Sequence, residues 1–209
     1  MKGVFEGTAT LRAAVSDWID NEATAEATHG AISGWDTSRI EAMRELFKEK
    51  TTFNAQLNWD TSKVTTMQDT FYNANSFNQP LDWDTSSVKM MAGTFSGASD
   101  FNQPLIWDTS SATTMYVTFR NANAFNQRGI ADWDVGRVSE FSNTFGTTAL
   151  ANDACSRQLV AKAWEGNTAF TSAYPSWDST GGCSPPPSPS PSPSPPPSSS
   201  LSSSSSSSS

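Results

Sequence analysis

A Trp-Asp pair returns five times along this chain, at Trp35-Asp36, Trp59-Asp60, Trp83-Asp84, Trp107-Asp108 and Trp133-Asp134, with tryptophan spacings of 24, 24, 24 and 26 residues. A unit of this length cannot bury an apolar face alone. Neighbouring units must therefore stack on one another, and internal repetition decides the fold before any local propensity does. Thr-Ser follows the first four pairs, and Val135-Gly136 follows the fifth. An apolar side chain comes next at Ile40, Val64, Val88, Ala112 and Val138, then Met43, Met67, Met91, Met115 or Phe141. Phe47, Phe71, Phe95, Phe119 and Phe145 close each run. A second phenylalanine opens a Phe-Asn pair at Phe53, Phe77, Phe101 and Phe125.

Within a unit, Val64, Met67 and Phe71 follow the i, i+3, i+7 pattern of one helix face. Asp-Thr-Ser just before them supplies oxygens suited to capping. Leu81-Asp82-Trp83 alternates as a short strand does, with Pro80 at its start. The expected unit is a brief strand, a cap, a short helix and a return loop. The period lies within the leucine-rich-repeat range of roughly 20–29 residues, with aromatic residues and Met in place of leucine. The expected fold is an α/β repeat: a right-handed, leucine-rich-repeat-like solenoid with short parallel strands, short helices and helical caps. Its core is expected to hold Trp59, Trp83, Trp107, Phe71, Phe95, Phe119, Phe77, Phe101, Met67, Met91 and Met115.

Four regions follow: an N-terminal helical cap at 1–34, five units at 35–148, a C-terminal helical cap at 149–183 and a disordered tail at 184–209. The tail holds 16 Ser, 9 Pro and one Leu, so every charged side chain lies in the body. Its Ser-Pro pattern suits a polyproline II spacer or an O-glycosylated stalk. Leu11, Ala14, Val15 and Trp18 share one helical face in the first cap, and Leu159, Ala163 and Trp164 share one in the second, with Asp153 near its helix start. Cys155 and Cys183 flank the second cap, either as a disulfide or as two free thiols. The N-terminus meets Glu6 before an apolar stretch forms, so no signal peptide is expected.

The repeat motif Trp-Asp-Thr-Ser-x-Val-x-x-Met-x-x-x-Phe-x-x-Ala-x-x-Phe-Asn-Gln-Pro-Leu resembles that of BspA-type surface proteins, over about residues 35–148. These are leucine-rich-repeat-like proteins of bacterial and protist surfaces, often lipoproteins. The resemblance implies a cell-surface location and adhesion-like roles, and it supplies no catalytic residue.

The remaining chemistry is sparse. A net charge of -8 disfavours nucleic acid and anionic lipid as partners. No apolar run is long enough to span a bilayer. One histidine, His29, disfavours zinc sites and Ser-His-Asp catalysis, and no phosphate-cradling glycine motif occurs, so no cofactor is expected. The Asp60, Asp84 and Asp108 column either caps its own turns or holds a cation such as calcium. The Asn54, Asn78, Asn102 and Asn126 column reads as a ladder of stacked amides. Thr70, Thr94, Thr118 and Thr144, with Thr61, Thr85 and Thr109, form columns that resemble ice-binding faces, or else serve caps and strands. Arg44, Arg120, Arg128 and Arg137 sit off the consensus as solvated positions. The expected function is a non-enzymatic, monomeric surface module that presents one face to a protein or glycan partner. The variable residues Gln68, Asp69, Lys89, Tyr116 and Arg120 would carry that contact. An intracellular scaffold is the alternative; an ice-binding array and a carboxylate-only hydrolase are remote ones.

Overall fold

The computed structural model describes residues 3–180 and Cys183. The Ser/Pro tail, with its stalk reading, lies outside the described residues. Two helices open the chain, α1 (Thr8–Asp20) and α2 (Glu22–His29), followed by a 3-10 turn at Ile32–Gly34. The repeat units come next, with a 3-10 turn at Arg128–Asp132 where the long interval falls. Helices α3 (Ala149–Asn152), α4 (Ala154–Ala163) and α5 (Thr168–Ala173) close it.

The strand-and-helix solenoid expected from the period is not what forms. Among the described residues the repeat region holds no strand and no sheet, only isolated parallel bridges: Ala42 to Thr66, Thr66 to Met90 and Met90 to Thr114 between units, and Asp36 to Val4 ahead of the first. The run around Leu81-Asp82-Trp83 forms no strand, because side chains rather than a backbone ladder join it to its neighbours. Indole Nε1 of Trp83 donates to Leu57 O, and Trp107 Nε1 donates to Leu81 O, both at 3.2 Å. Thr61 Oγ1 donates to Asp84 O at 2.8 Å. Asn78 and Asn102 N–H groups each donate to the Oδ1 of the asparagine one unit back, at 3.0 Å.

The short helix fails for a second reason. In the run from Met67 to Ala74, backbone donors alternate between two destinations. The N–H groups of Met67, Asp69, Phe71 and Asn73 leave the unit for the carbonyls of Met90, Ala92, Thr94 and Ser96, at 2.7–2.9 Å. Those of Thr70, Tyr72 and Ala74 turn back three residues, at 3.0–3.2 Å. An α-helix would send every one to the carbonyl four residues earlier. In the first four units the outward donors include two left-handed residues each, Glu45 and Glu49, Asp69 and Asn73, Gly93 and Gly97, Val117 and Asn121, and Asn143 and Thr147 keep the conformation in the fifth, with φ between 49° and 75°. Helical geometry has no place for them. The apolar spacing survives because consecutive turns bring Val64, Met67 and Phe71 to one side.

The expected core is fully present, with every named Trp, Phe and Met buried. Phe47, Phe71, Phe95, Phe119 and Phe145 stack at centroid spacings of 5.2, 5.5, 5.6 and 5.9 Å with nearly parallel rings. A second column runs through Phe53, Phe77, Phe101 and Phe125 at 5.9–6.2 Å. Within one unit the two phenylalanines meet closely, as Phe71 and Phe77 do at 4.1 Å. Trp35, Trp59 and Trp83 stack at 6.1 and 6.5 Å, and Trp107 stacks on Trp133 at 6.2 Å. These offset arrangements suit aromatic quadrupoles.

Both ends of the stack are closed by groups that stand in for a missing neighbour. The carbonyls of Ala42 and Arg44 match those of Thr66 and Gln68, which accept from the preceding unit. At the first unit, Thr8 Oγ1 of α1 donates to Ala42 O at 2.7 Å, and the Arg12 guanidinium donates to Arg44 O. The buried face of α1 is the expected Leu11, Ala14, Val15 and Trp18. At the far end the Phe145 N–H donates to the Tyr174 hydroxyl at 2.9 Å, and Asn167 Nδ2 donates to the carbonyls of Val135 and Val138. Asp153 caps α4 by accepting from Ser156 N–H. The buried side of α4 departs from expectation: it is Ser156, Val160 and Ala161, continued by Trp164, while Leu159 is half-buried and Ala163 exposed. Arg128 is not the solvated residue expected, since it reaches Asp153 Oδ2 at 3.3 Å and Ser156 Oγ at 3.0 Å.

Candidate functional site

The columns that repeat are occupied by the fold itself. Each Asp caps its own turn: Asp60 Oδ1 accepts from the N–H and hydroxyl of Ser62 at 3.0 and 2.7 Å, and Asp84 does the same with Ser86. The Ser62 hydroxyl and N–H hold Asp60 below the usual carboxylate range; burial and the neighbouring Asp36 oppose them more weakly. Ser110 lowers Asp108, and Ser142 lowers Glu140, in the same way. Among the described residues no group of three or more His, Cys, Asp or Glu could hold a metal ion.

These lowered carboxylates set an acid limit. A folded value below the unfolded one contributes stability above the unfolded value, and that contribution is lost as pH falls through the folded value. Thermal melts should therefore lose midpoint temperature as pH drops below about 4. Asp60→Asn with Asp108→Asn keeps a capping oxygen and removes two titrating groups, so the double variant should show a shallower acid slope. An unchanged slope would contradict this origin.

The Asn column is the ladder expected. Asn54, Asn78 and Asn102 Oδ1 each accept from a backbone N–H and a Gln amide one unit on, and Asn126 Oδ1 accepts from Ser156 Oγ at 2.7 Å. The Thr columns are interior rather than a surface array. Thr70, Thr94, Thr118 and Thr144 are wholly buried, and Thr94 Oγ1 lies 2.8 Å from Met91 O and 3.1 Å from Met67 O. Thr61, Thr85 and Thr109 are buried as well. Their hydroxyls join neighbouring units and leave no flat Thr face outside.

The variable residues are different. Asp69, Tyr116 and Arg120 come together around a notch of ≈ 370 Å³, completed by Tyr72, Asn73, Ser96, Val117 and Asn121. Gln68 stands beside it, its Nε2 donating to Asp69 Oδ2 at 3.2 Å. Lys89 is exposed but does not line the notch. The cause lies in the third unit, where Gly93, Ser96 and Gly97 replace Asp69, Tyr72 and Asn73 of the second and Val117, Arg120 and Asn121 of the fourth. A Cβ at Gly93 would come within 2.1 Å of Asp69 Oδ1, and one at Gly97 within 2.0 Å of Asn73 Oδ1. The Asp69 and Asn73 side chains thus lie across the space the glycines vacate. Sequence reasoning missed Tyr72, Asn73, Ser96, Val117 and Asn121. The signal was the sudden loss of side-chain bulk in Ala92-Gly93-Thr94-Phe95-Ser96-Gly97.

A second hollow of ≈ 430 Å³ lies at the first unit, among Ser33, Gly34, Trp35, Asp36, Thr37, Ser38, Asn58 and Asp60. Its floor is made of the same capping turns that every unit repeats. Cys155 and Cys183 form a disulfide with Cα atoms 5.5 Å apart, resolving the alternative the sequence left open. Trp177 lies nearby in sequence and packs 5.4 Å from Phe145, on the last unit. No helix among the described residues is long and apolar enough to cross a membrane.

No curated protein and no solved structure matches the chain. A family model described as Mycoplasma protein of unknown function, DUF285, matches twice, over residues 19–106 and 81–180. The two overlapping matches span most of the described residues and fall on the repeated units. The chain belongs to this DUF285 repeat family.

Proposed function

We propose that the chain is a non-enzymatic interaction module of the extracellular or cell-surface kind, which offers the wall of its repeat stack to a protein or glycan partner. The observation that supports this is a division of labour. Consensus Trp, Phe, Met, Thr, Asn and Asp side chains are consumed by stacking, ladders and caps. Distinctive chemistry at the surface is left to variable positions, with Tyr116 and Arg120 exposed and Asp69 half-buried beside them. The BspA-type character of the repeat motif supports the surface setting, as does the disulfide, which belongs to oxidising compartments.

The test is a binding screen of the full chain on arrays of extracellular proteins and glycans. Replacing Gln68, Asp69, Lys89, Tyr116 and Arg120 together with Ala should abolish capture and leave the melting temperature within a few degrees of the native chain. Capture that survives this change would overturn the assignment of the wall. Turnover in a broad glycan-hydrolase screen would overturn the non-enzymatic reading.

A further inference from the structure

We propose that the notch between the second and fourth units is a saccharide subsite, shaped for a neutral hexose or a short run of neutral hexoses. This deepens the interaction-module reading and rests on it. The notch volume of ≈ 370 Å³ falls within the roughly 300–1,000 Å³ of small-molecule sites. Its lining is mostly polar, which suits a ligand covered in hydroxyls. Asp69 brings a carboxylate to the lining, its Oδ2 already accepting from Gln68 Nε2 and keeping a second lone pair for a hydroxyl. Asn73 and Asn121 both donate and accept, Ser96 adds a hydroxyl, and Arg120 donates only.

Two tyrosines border this polar set. Tyr116 is 47% exposed, so its ring is a presented surface and not part of the core. Tyr72 lies on the other flank, with Lys48 Nζ 5.5 Å from its ring centroid. An aromatic face beside directional polar groups matches the two surfaces of a sugar ring, C–H on one side and O–H at the edge. The charges in the lining, Asp69 and Arg120, are one of each sign. A formally balanced notch on a chain of net charge -8 favours a neutral ligand over a phosphate, a sulfate or an acidic sugar.

The glycines also point to purpose in the shape. Equivalent positions hold Asp69, Asn73, Val117 and Asn121 at φ of 49–60°, so this backbone turn does not by itself demand glycine. What Gly93 and Gly97 supply is room, which the tips of Asp69 and Asn73 enter.

The experiment titrates the full chain with maltotetraose, cellotetraose, mannotetraose and galactotetraose, using calorimetry and saturation-transfer NMR. At least one should bind with a Kd of about 1 mM or tighter. Tyr116→Ala should weaken it by about tenfold or more, Tyr116→Phe should largely retain it, and Asn121→Ala should also weaken it. Tyr116 is exposed, so its variants should melt as the native chain does; Asn121→Ala, at a φ of 60° and without the bond from Thr147 Oγ1, should melt a few degrees lower and is titrated well below that midpoint. If no tetrasaccharide binds, or if binding is unmoved by Tyr116→Ala and Asn121→Ala, the saccharide subsite is overturned. Should the sugars fail while a protein partner is captured and lost in the alanine variants, the subsite falls and the interaction module stands. Failure of both would remove both.

Discussion

Phe95→Ala should lower the stability of the chain by about 3–5 kcal/mol, the range for a wholly buried phenylalanine. For a body of this size that corresponds to a melting-temperature drop of roughly 6–20 °C. Phe95 sits at the middle of its column, 5.5 Å from Phe71 and 5.6 Å from Phe119, and 4.0 Å from Phe101 in its own unit. It also touches Trp107 at 5.7 Å. Removing it interrupts four ring contacts and leaves a cavity that stacked, ladder-tied neighbours cannot collapse to fill. Ile106→Ala is the control: its side chain is 89% exposed, so the change should stay within about 0.5 kcal/mol. A loss below about 1 kcal/mol at Phe95 would mean that the columns do not carry the stability assigned to them.

Reduction of the Cys155–Cys183 bridge should have the next largest effect. The bond closes a loop with a sequence separation of 28, and chain entropy assigns such a loop about 3–4 kcal/mol. Within that loop lie α4, α5, Tyr174 and Trp177, the groups that cover Phe145 and the last unit. Melts with and without reductant, and of Cys155→Ser with Cys183→Ser, should show the same drop. Amide exchange should show faster opening at Phe145 N–H, whose acceptor is the Tyr174 hydroxyl. Equal midpoints in both conditions would mean that the C-terminal segment frays ahead of the body. Thiol labelling of protein purified from its own cells tests the surface location: a closed bridge supports it, and two free thiols would place the chain in a reducing compartment.

Much of the architecture could be read directly from the residue columns, because stacking makes equivalent positions meet. The Trp, Phe, Met and Asn columns, the Asp caps and the apolar face of α1 were all legible in this way. The internal conformation of a unit was not. The spacing of Val64, Met67 and Phe71 fits a helix as well as it fits consecutive turns, and only the left-handed residues decide between them. Glu45, Val117 and Thr147 carry no sequence mark of a positive φ; the N–H groups of Glu45 and Val117 bond to Gln68 O and Ser142 O of the next unit, and Thr147 repeats the conformation at the last one. The strand reading of Leu81-Asp82-Trp83 failed because alternation reports which side chains are buried, not where backbone groups bond. The notch was half legible. Asp69, Tyr116 and Arg120 stood out as variable, but Tyr72, Asn73 and Asn121 matter only because two glycines in another unit make room.

Because the ladders tie each unit to the next at fixed offsets, length in this molecule behaves as a counted quantity. Adding or deleting one whole unit would preserve every type of contact and keep both end helices seated, changing the stack by one ring spacing of about 5–6 Å. A gain of one or two residues inside a unit would instead throw all columns out of phase at once. The single tolerated excess, before Trp133, is confined to the 3-10 turn Arg128–Asp132, which coils the surplus and returns Trp133 to within 6.2 Å of Trp107. The fold thus sorts insertions by arithmetic: whole units pass, and fractions survive only where a local coil can absorb the remainder.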